Sequence, residues 1–399
     1  MNKGWQTKKL ASISSKITDG SHNPPKGGAE SNYLMLSSKN VFDDDLHYED
    51  PRYLSREQFE QEDRRTGVSP NDVLLTIVGT VGRSAVVPVN PPRITLQRSV
   101  AVIRPERNIV EPRFLMYSLI ERSEDLNARA RGVAQKGIYL ETLRELEVVL
   151  PPLAEQQRIV GLLDEAFEGL ATAKANAEKN LQNARALFKS HLQSVFADQW
   201  QIGELVTLAD LATDITDGDH LPPPKSPTGV PFITIGNIVK ETREIDFSDT
   251  FMVPRAYFDA LKPYKKPRQG DVLYTVTGSF GIPVIVRDDT EFCFQRHIGL
   301  VRPKPETSSS WLYYLLMSRQ LIKQANEGAT GTAQKTVSLK LLRSFVVPKV
   351  SPKQQKQAVE KLDVLSEETQ RLARIYKRKH AALEELKKSL LHQAFAGKL

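Results

Sequence analysis

The apolar positions change their period along the chain, and the same change happens twice. The first 150 residues carry short β-branched runs between turn signals, at 73–78, 85–89 and 99–103, which predicts strands. A helix is expected from Pro112 to about Arg131, since proline suits a first helical position. From Leu153 to about Ala197 there is no proline, and apolar residues recur at spacings of three and four, the mark of a long helix. One register places Val160, Phe167, Leu181, Phe188 and Val195 on one line of a seam and Leu163, Leu170, Ala177 and Ala184 on the other. The pattern then restarts. Strands are expected at 272–276, 283–286 and 298–301, and a helix from Ser310 to about Glu327. A second long helix is expected from Pro352 to about Ala396, with Leu362, Leu365, Leu372, Tyr376, Leu383, Leu386 and Leu390 along its seam.

The recurrence extends to individual residues. Ile17-Thr18-Asp19-Gly20-Ser21-His22 returns as Ile215-Thr216-Asp217-Gly218-Asp219-His220, each copy running on into prolines and a lysine, Lys26 or Lys225. Asp72-Val73-Leu74 with Gly79 and Gly82 returns as Asp271-Val272-Leu273 with Gly278 and Gly281. Gln97-Arg98 with Arg104-Pro105 returns as Gln295-Arg296 with Arg302-Pro303. The segment 132–136 returns at 331–335, Gln156-Gln157 matches Gln354-Gln355, and Phe196-Ala197 matches Phe395-Ala396. Blocks in one order at one spacing of about 199 residues make the chain two tandem copies with little left over. The expected organisation is a mixed α/β unit over 1–150, a helix over 151–198, a second α/β unit over 199–349 and a helix over 350–399. Helices of this size reach about 65 Å, longer than a lone globular helix, so pairing as a coiled coil is expected. A pseudo-twofold arrangement of the halves would bring the C-terminus near Met1.

Composition narrows the class. The chain has 399 residues, 40% hydrophobic and 26% charged, an ordinary globular mixture. A lone cysteine, Cys293, excludes an internal disulfide and a Cys-based zinc site, and points to a reducing compartment. No apolar run has the length of a membrane helix, and no apolar segment follows the first lysines as in a secretory signal; the expectation is a cytoplasmic protein. Lys and Arg outnumber Asp and Glu by 55 to 48, a lean of +7 toward polyanionic partners.

Catalytic chemistry does not stand out. Asn23-Pro24-Pro25 and Asn90-Pro91-Pro92 lead into Lys26 and Arg93, without the aromatic residue that an adenine-N6 methyltransferase stacks on a flipped base. The glycines at 79–82 and 278–281 are not followed by the Gly-Lys-Ser/Thr of a phosphate-binding loop and read as turns between strands. The seven histidines lack metal-ligand spacing. Asp19, Asp217, Asp72 and Asp271 read as turn formers at strand ends. His22 and His220 are open between capping a turn and making a contact. Cys293, on an apolar strand, reads as an inert buried thiol.

Some repeated residues suit a nucleic acid. Gln135 with Lys136, and Gln334 with Lys335, sit in glycine-led loops before the last strand of each copy. Gln can pair with the edge of adenine, and Lys can hold a phosphate or guanine. Simple solvated loops are the alternative. Arg98 and Arg296 are open between a structural ion pair and a phosphate contact. Lys26, Lys225 and Ser279 complete the candidate DNA-binding set.

Together these features resemble the specificity subunits of Type I restriction-modification systems. The resemblance rests on Pro151-Pro152-Leu153-Ala154-Glu155-Gln156-Gln157 heading a long helix, the paired Ile-Thr-Asp-Gly openings, the Asp-Val-Leu blocks and the terminal Gln393-Ala394-Phe395-Ala396-Gly397-Lys398-Leu399. The second copy departs from it at Val350-Ser351-Pro352-Lys353. The resemblance implies two target-recognition domains, each reading half of a split, asymmetric DNA sequence, on two spacer helices that pack antiparallel. It implies no catalysis and no bound cofactor in this chain. Its partners would be duplex DNA, two methyltransferase subunits using S-adenosylmethionine, and restriction subunits using ATP. Where the copies diverge, as at 43–48 against 241–246, different bases would be read. The competing readings are a coiled-coil scaffold that touches no DNA and a methyltransferase fused to its own reader.

Overall fold

The computed structural model describes residues 4–132, 136–332 and 334–399. The chain divides into two compact units, Met1–Glu178 with Arg378–Leu399, and Lys179–Lys377. The last stretch of the chain thus completes the first unit. Met1 lies outside the described residues, but Trp5 and Phe395 both pack against the core of this unit.

In the first unit an antiparallel four-stranded sheet runs in the order Ser14–Asp19, Val100–Pro105, Val73–Thr76, Ser84–Val86. Its central strands are covered on both faces, and their side chains alternate between two cores. Val73, Leu75, Ala101 and Ile103 face Phe114, Leu115 and Leu119 of the helix Pro112–Glu121. Leu74, Val100 and Val102 face Leu36, Ile94 and Leu96 of a small three-stranded sheet. Gln6–Lys9 pairs with Glu147–Leu150, so the start of the unit is tied to the strand that leads into the long helix.

The second unit repeats this plan. Its sheet order is Ala212–Asp217, Ile298–Pro303, Val272–Thr275, Pro283–Ile285. Val272, Tyr274 and Val301 face Trp311, Leu312 and Leu315, while Leu273, Ile298 and Leu300 face Ile233 and Phe294. The single helix expected in each unit is two helices: Pro112–Glu121 then Ser123–Arg129, and Ser309–Leu316 then Arg319–Gly328. The second break has a local cause: fully buried Ser318 takes the N-cap position and accepts a hydrogen bond from the Leu321 N–H.

The long helices run Leu153–Ile202 and Pro352–Phe395. The first passes the expected limit at 198, because Gln199 is a buried helical residue donating to the Gln354 carbonyl and accepting from the Trp311 indole at 2.9 Å. Within the first unit the helical segments are antiparallel: Lys174 pairs with Glu384 at 2.7 Å, Glu178 with His380 at 3.3 Å, and Arg158 donates to the Leu399 carbonyl at 2.8 Å. The antiparallel coiled coil is therefore present, but the expected seam needs correction. Val160, Leu163 and Leu362 are buried in the globular cores of their units rather than in a purely interhelical seam. Phe167, Leu170, Leu181, Phe188, Leu365, Leu372, Tyr376 and Leu383 are half-buried. Leu386 is 45% exposed, and its neighbour Lys387 turns inward with its ammonium 5.1 Å from the centre of the Phe167 ring. Beyond Phe188 the buried line moves to Leu192 and Phe196, because a straight α-helix drifts away from a strict heptad.

Candidate nucleic-acid interface

Much of what the two copies share is scaffold. Arg104 makes a bidentate pair with Asp72, Nε–Oδ1 2.7 Å and Nη2–Oδ2 2.8 Å, and donates to the Gly67 carbonyl. Arg302 pairs with Asp271 in the same manner, at 2.9 and 2.8 Å, and donates to the Lys266 carbonyl. The aspartates also accept the Ser69 and Arg268 N–H groups, so the turn-forming role is real but is half of what they do. Gln156 is buried and stitches the helix start to the unit. It donates to the Ile109 and Pro151 carbonyls and accepts from the Glu111 N–H. Gln355 makes the same three bonds to Glu306, Val350 and Ser308. The equivalent of Gln156 is therefore Gln355 and not Gln354, one residue off the register read from the sequence.

Two further residues of this kind went unrecognised in the sequence. Asn40 and Asn237 are buried, each accepting from the backbone N–H three residues before it and donating to two carbonyls of the following loop. An Asn four residues past a short strand in both copies was the available signal.

One end of each unit gathers exposed loops. Gly20 is required there because a Cβ would lie 2.1 Å from the Leu96 carbonyl oxygen; at Gly218 it would lie 1.9 Å from that of Phe294. These glycines serve a close backbone approach and not a turn. The approach lets Ser21 and Asp219 bridge to Gln97 and Gln295. It also lets the Arg98 N–H donate to the Ser21 carbonyl at 2.9 Å and the Arg296 N–H to the Asp219 carbonyl at 3.1 Å. The Gly79 N–H then donates to the Lys136 carbonyl at 3.3 Å, and the Gly278 N–H to the Lys335 carbonyl at 3.1 Å. Backbone hydrogen bonds thereby bring the glycine turn up to the Lys136 or Lys335 loop and join the arginine segment to the Asp-Gly segment in each unit.

Arg98, Lys136, Arg296, Lys335, Gln334 and Ser279 are all exposed at this end; Gln135 lies outside the described residues. Lys26 and Lys225 are exposed as well, but run beside the edge of the small sheet, where the Lys225 ammonium sits 5.1 Å from the centre of the Phe251 ring. The loops share a backbone and differ in side chains. By pairing register Ser38, Lys39 and Ser99 of the first unit correspond to Ile235, Gly236 and His297 of the second.

Within the divergent segment 43–48, Asp44 is engaged inside the first unit. This residue, at φ +65°, accepts from Arg113 at 2.8 Å, with the Tyr117 hydroxyl oxygen 3.1 Å away. Both donors bond Asp164 of the first long helix, at 2.8 and 2.6 Å. Burial, then the hydrogen bond to Asp164, pushes the Tyr117 hydroxyl well above the usual tyrosine range. Burial works against the Arg113 charge, but its two carboxylate partners more than offset it. The cluster fastens the recognition unit to its helix. Cys293 is fully buried, and burial, with Asp219 nearby, pushes its thiol up to about 12, which leaves no thiolate at neutral pH. Among the described residues no group of three or more His, Cys, Asp or Glu is placed to hold a metal ion.

The sequence model of the Type I restriction modification DNA specificity domain matches residues 2–181 and again 198–378. Among curated relatives, the chain is 24% identical over 366 residues to the Type I restriction enzyme EcoBI specificity subunit of Escherichia coli, covering 83% of this chain and 74% of the relative. It is 22% identical over 357 residues to the Type I restriction enzyme MjaVIII specificity subunit of Methanocaldococcus jannaschii, covering 83% and 80%. Its fold matches a chain solved in work on complex assembly and conformational transition of the type I R-M system, with TM-score 0.75, 18% identity and 100% and 99% coverage. It also matches the HsdS subunit from Thermoanaerobacter tengcongensis, with TM-score 0.57, 19% identity and 100% and 98% coverage. The chain belongs to the Type I restriction-modification DNA specificity family, as a recognition component and not a catalytic one.

Proposed function

We propose that each unit reads one half of an asymmetric, two-part duplex DNA sequence through the loop end described above. The observation that carries this reading is that loop positions in register between the two units bear different side chains, Ser38 and Lys39 against Ile235 and Gly236, with buried Ser99 against half-buried His297 behind them. Residues common to both units suit what both halves have in common, the phosphates or a base present in each. That is the place of Arg98, Arg296, Lys26, Lys225, Lys136 and Lys335 as phosphate contacts, and of Gln135 and Gln334 as readers of an adenine edge. Ser279, on the second unit's glycine turn, has no serine counterpart at Thr80 and suits a contact particular to one half.

The long helices dock two adenine-N6 methyltransferase subunits and, through them, restriction subunits. Leu187 and Leu386 support this: they hold corresponding positions on the two helices and are 55% and 45% exposed, giving one partner two like attachment points. S-adenosylmethionine and ATP belong to those partners, and this chain binds neither. A cytoplasmic site of action follows from the same reading; no helix among the described residues is long and apolar enough to cross a membrane.

Selection of bound duplexes from a random library, using the chain with its methyltransferase subunit, tests the recognition claim. Two fixed blocks of different sequence separated by unspecified bases are expected. A chain without measurable affinity for duplex DNA at low salt contradicts it and favours a scaffold between proteins.

A further inference from the structure

We propose that His22 and His220 grip DNA phosphates as imidazolium ions, one in each unit, so that DNA binding takes up protons. This rests on the reading that the loop end of each unit faces DNA. His22 Nε2 lies 2.8 Å from Asp19 Oδ2, and His220 Nε2 lies 2.9 Å from Asp217 Oδ2. A carboxylate only accepts, so Nε2 carries the hydrogen in both pairs and Nδ1 is the free ring nitrogen. In the neutral ring Nδ1 is a lone pair, which repels a phosphate oxygen. In the imidazolium it is a charged donor, which binds one strongly. Contact and protonation are therefore one event.

The surroundings favour a phosphate over other roles. Asp19 is buried and Asp217 is 17% exposed, both at strand ends, while the imidazoles are largely exposed, so each ring is held from below and open above. The charged groups facing His22 are Asp19, then Arg65 of the helix Arg56–Thr66, which pairs with the same carboxylate and donates to the Asp19 carbonyl at 2.9 Å. Arg98 reaches the same place from the strand loop, its N–H bonded to the residue just before His22. Around His220 are Asp217, the backbone of Arg296, whose N–H bonds the residue just before it while its Nε reaches the ring of titratable His297 at 3.5 Å, and Asp219, which is engaged by the Tyr257 hydroxyl and lies 3.9 Å from the Lys265 ammonium. Each unit thus ties the backbone of an arginine to the residue before an aspartate-braced histidine, although the side chains around it differ. A pair retained in two units that read different halves fits the part of DNA that does not change. A histidine that only capped its turn would need no such exposure in both units.

The test is the affinity of the full chain for a mixed-sequence duplex across about pH 5 to 8, where histidine changes charge. Affinity should rise as pH falls, by up to about tenfold per pH unit for each proton taken up on binding. His22→Gln with His220→Gln keeps a donor for each aspartate but cannot take a proton. It should flatten the pH profile and lower the salt slope by about one unit per lost contact, with thermal stability unchanged. The proposal is overturned by a flat wild-type profile, by a double variant that keeps the wild-type profile, or by losses that follow unfolding. A loss confined to one base position likewise overturns it, in favour of base reading. A wild-type chain that fails to bind duplex DNA at all contradicts the recognition reading beneath it, which a flat profile with good binding does not.

Discussion

Asp271 and Arg302 meet face to face, two parallel hydrogen bonds of 2.9 and 2.8 Å joining an aspartate only 3% exposed to a guanidinium that also holds the Lys266 carbonyl. Asp72 and Arg104 repeat the arrangement in the first unit. Removing one partner strands a buried charge, which costs about 3–5 kcal/mol, whereas replacing both with apolar residues costs much less. Asp271→Leu and Arg302→Met should each lower the unfolding free energy of the second unit by about that amount. The double variant Asp271→Leu with Arg302→Met should recover much of it. Denaturant melts of the singles and the double check this, and additive losses would contradict a direct pair.

Gln156 and Gln355 make a second prediction that also tests the corrected register. Each is a buried side chain making three hydrogen bonds to the backbone, and an orphaned buried backbone partner costs about 1–3 kcal/mol. Gln355→Ala should therefore be strongly destabilising. Gln354→Ala should lose only a helix cap shared with Ser351, about 1 kcal/mol. The reverse order in a thermal melt would restore the register read from the sequence.

These residues mark where sequence reading reached its limit. The repeat itself was legible, since duplicated blocks at one spacing need no knowledge of contacts. So were the strands, whose β-branched runs between turns mark them locally. What the repeated polar residues touch was not legible: Asp72 finds Arg104 across two strands, and Gln156 finds Ile109 back in the globular unit, pairings that no local period encodes. The seam failed for a related reason. A heptad assumes a single neighbour, yet Val160 and Leu163 answer to a globular core and Leu386 to solvent, and the register slips at Leu192. Of the candidate site, the exposed cations were legible as residue types, and their gathering by backbone hydrogen bonds was not.

Gly20 and Gly218 are predicted to reject any side chain. A Cβ would overlap a carbonyl oxygen of the neighbouring strand end, and backbone cannot rotate away as a side chain can. Gly218→Ala should displace the Gln295-Arg296 segment, costing well over the ~1 kcal/mol typical of point changes and weakening duplex binding. Melting temperature and DNA affinity, measured together, check this. A variant unchanged in both would contradict the close approach.

Leu187→Asp and Leu386→Asp should fold normally, because both residues are exposed. Each should cut the number of methyltransferase subunits bound per chain from two to one, measured as the mass of the complex. Full loading of both variants would place the docking surface elsewhere.

The central claim is that two units read two halves. Co-expression with the cognate methyltransferase subunit, followed by sequencing of N6-methyladenine in host DNA, tests it most directly. The account predicts a split, asymmetric motif with adenine modified in each half, and relaxation of one half alone in Gln334→Ala, at a cost of about 1–3 kcal/mol in discrimination. A single undivided motif, or equal damage to both halves by that one substitution, would contradict it.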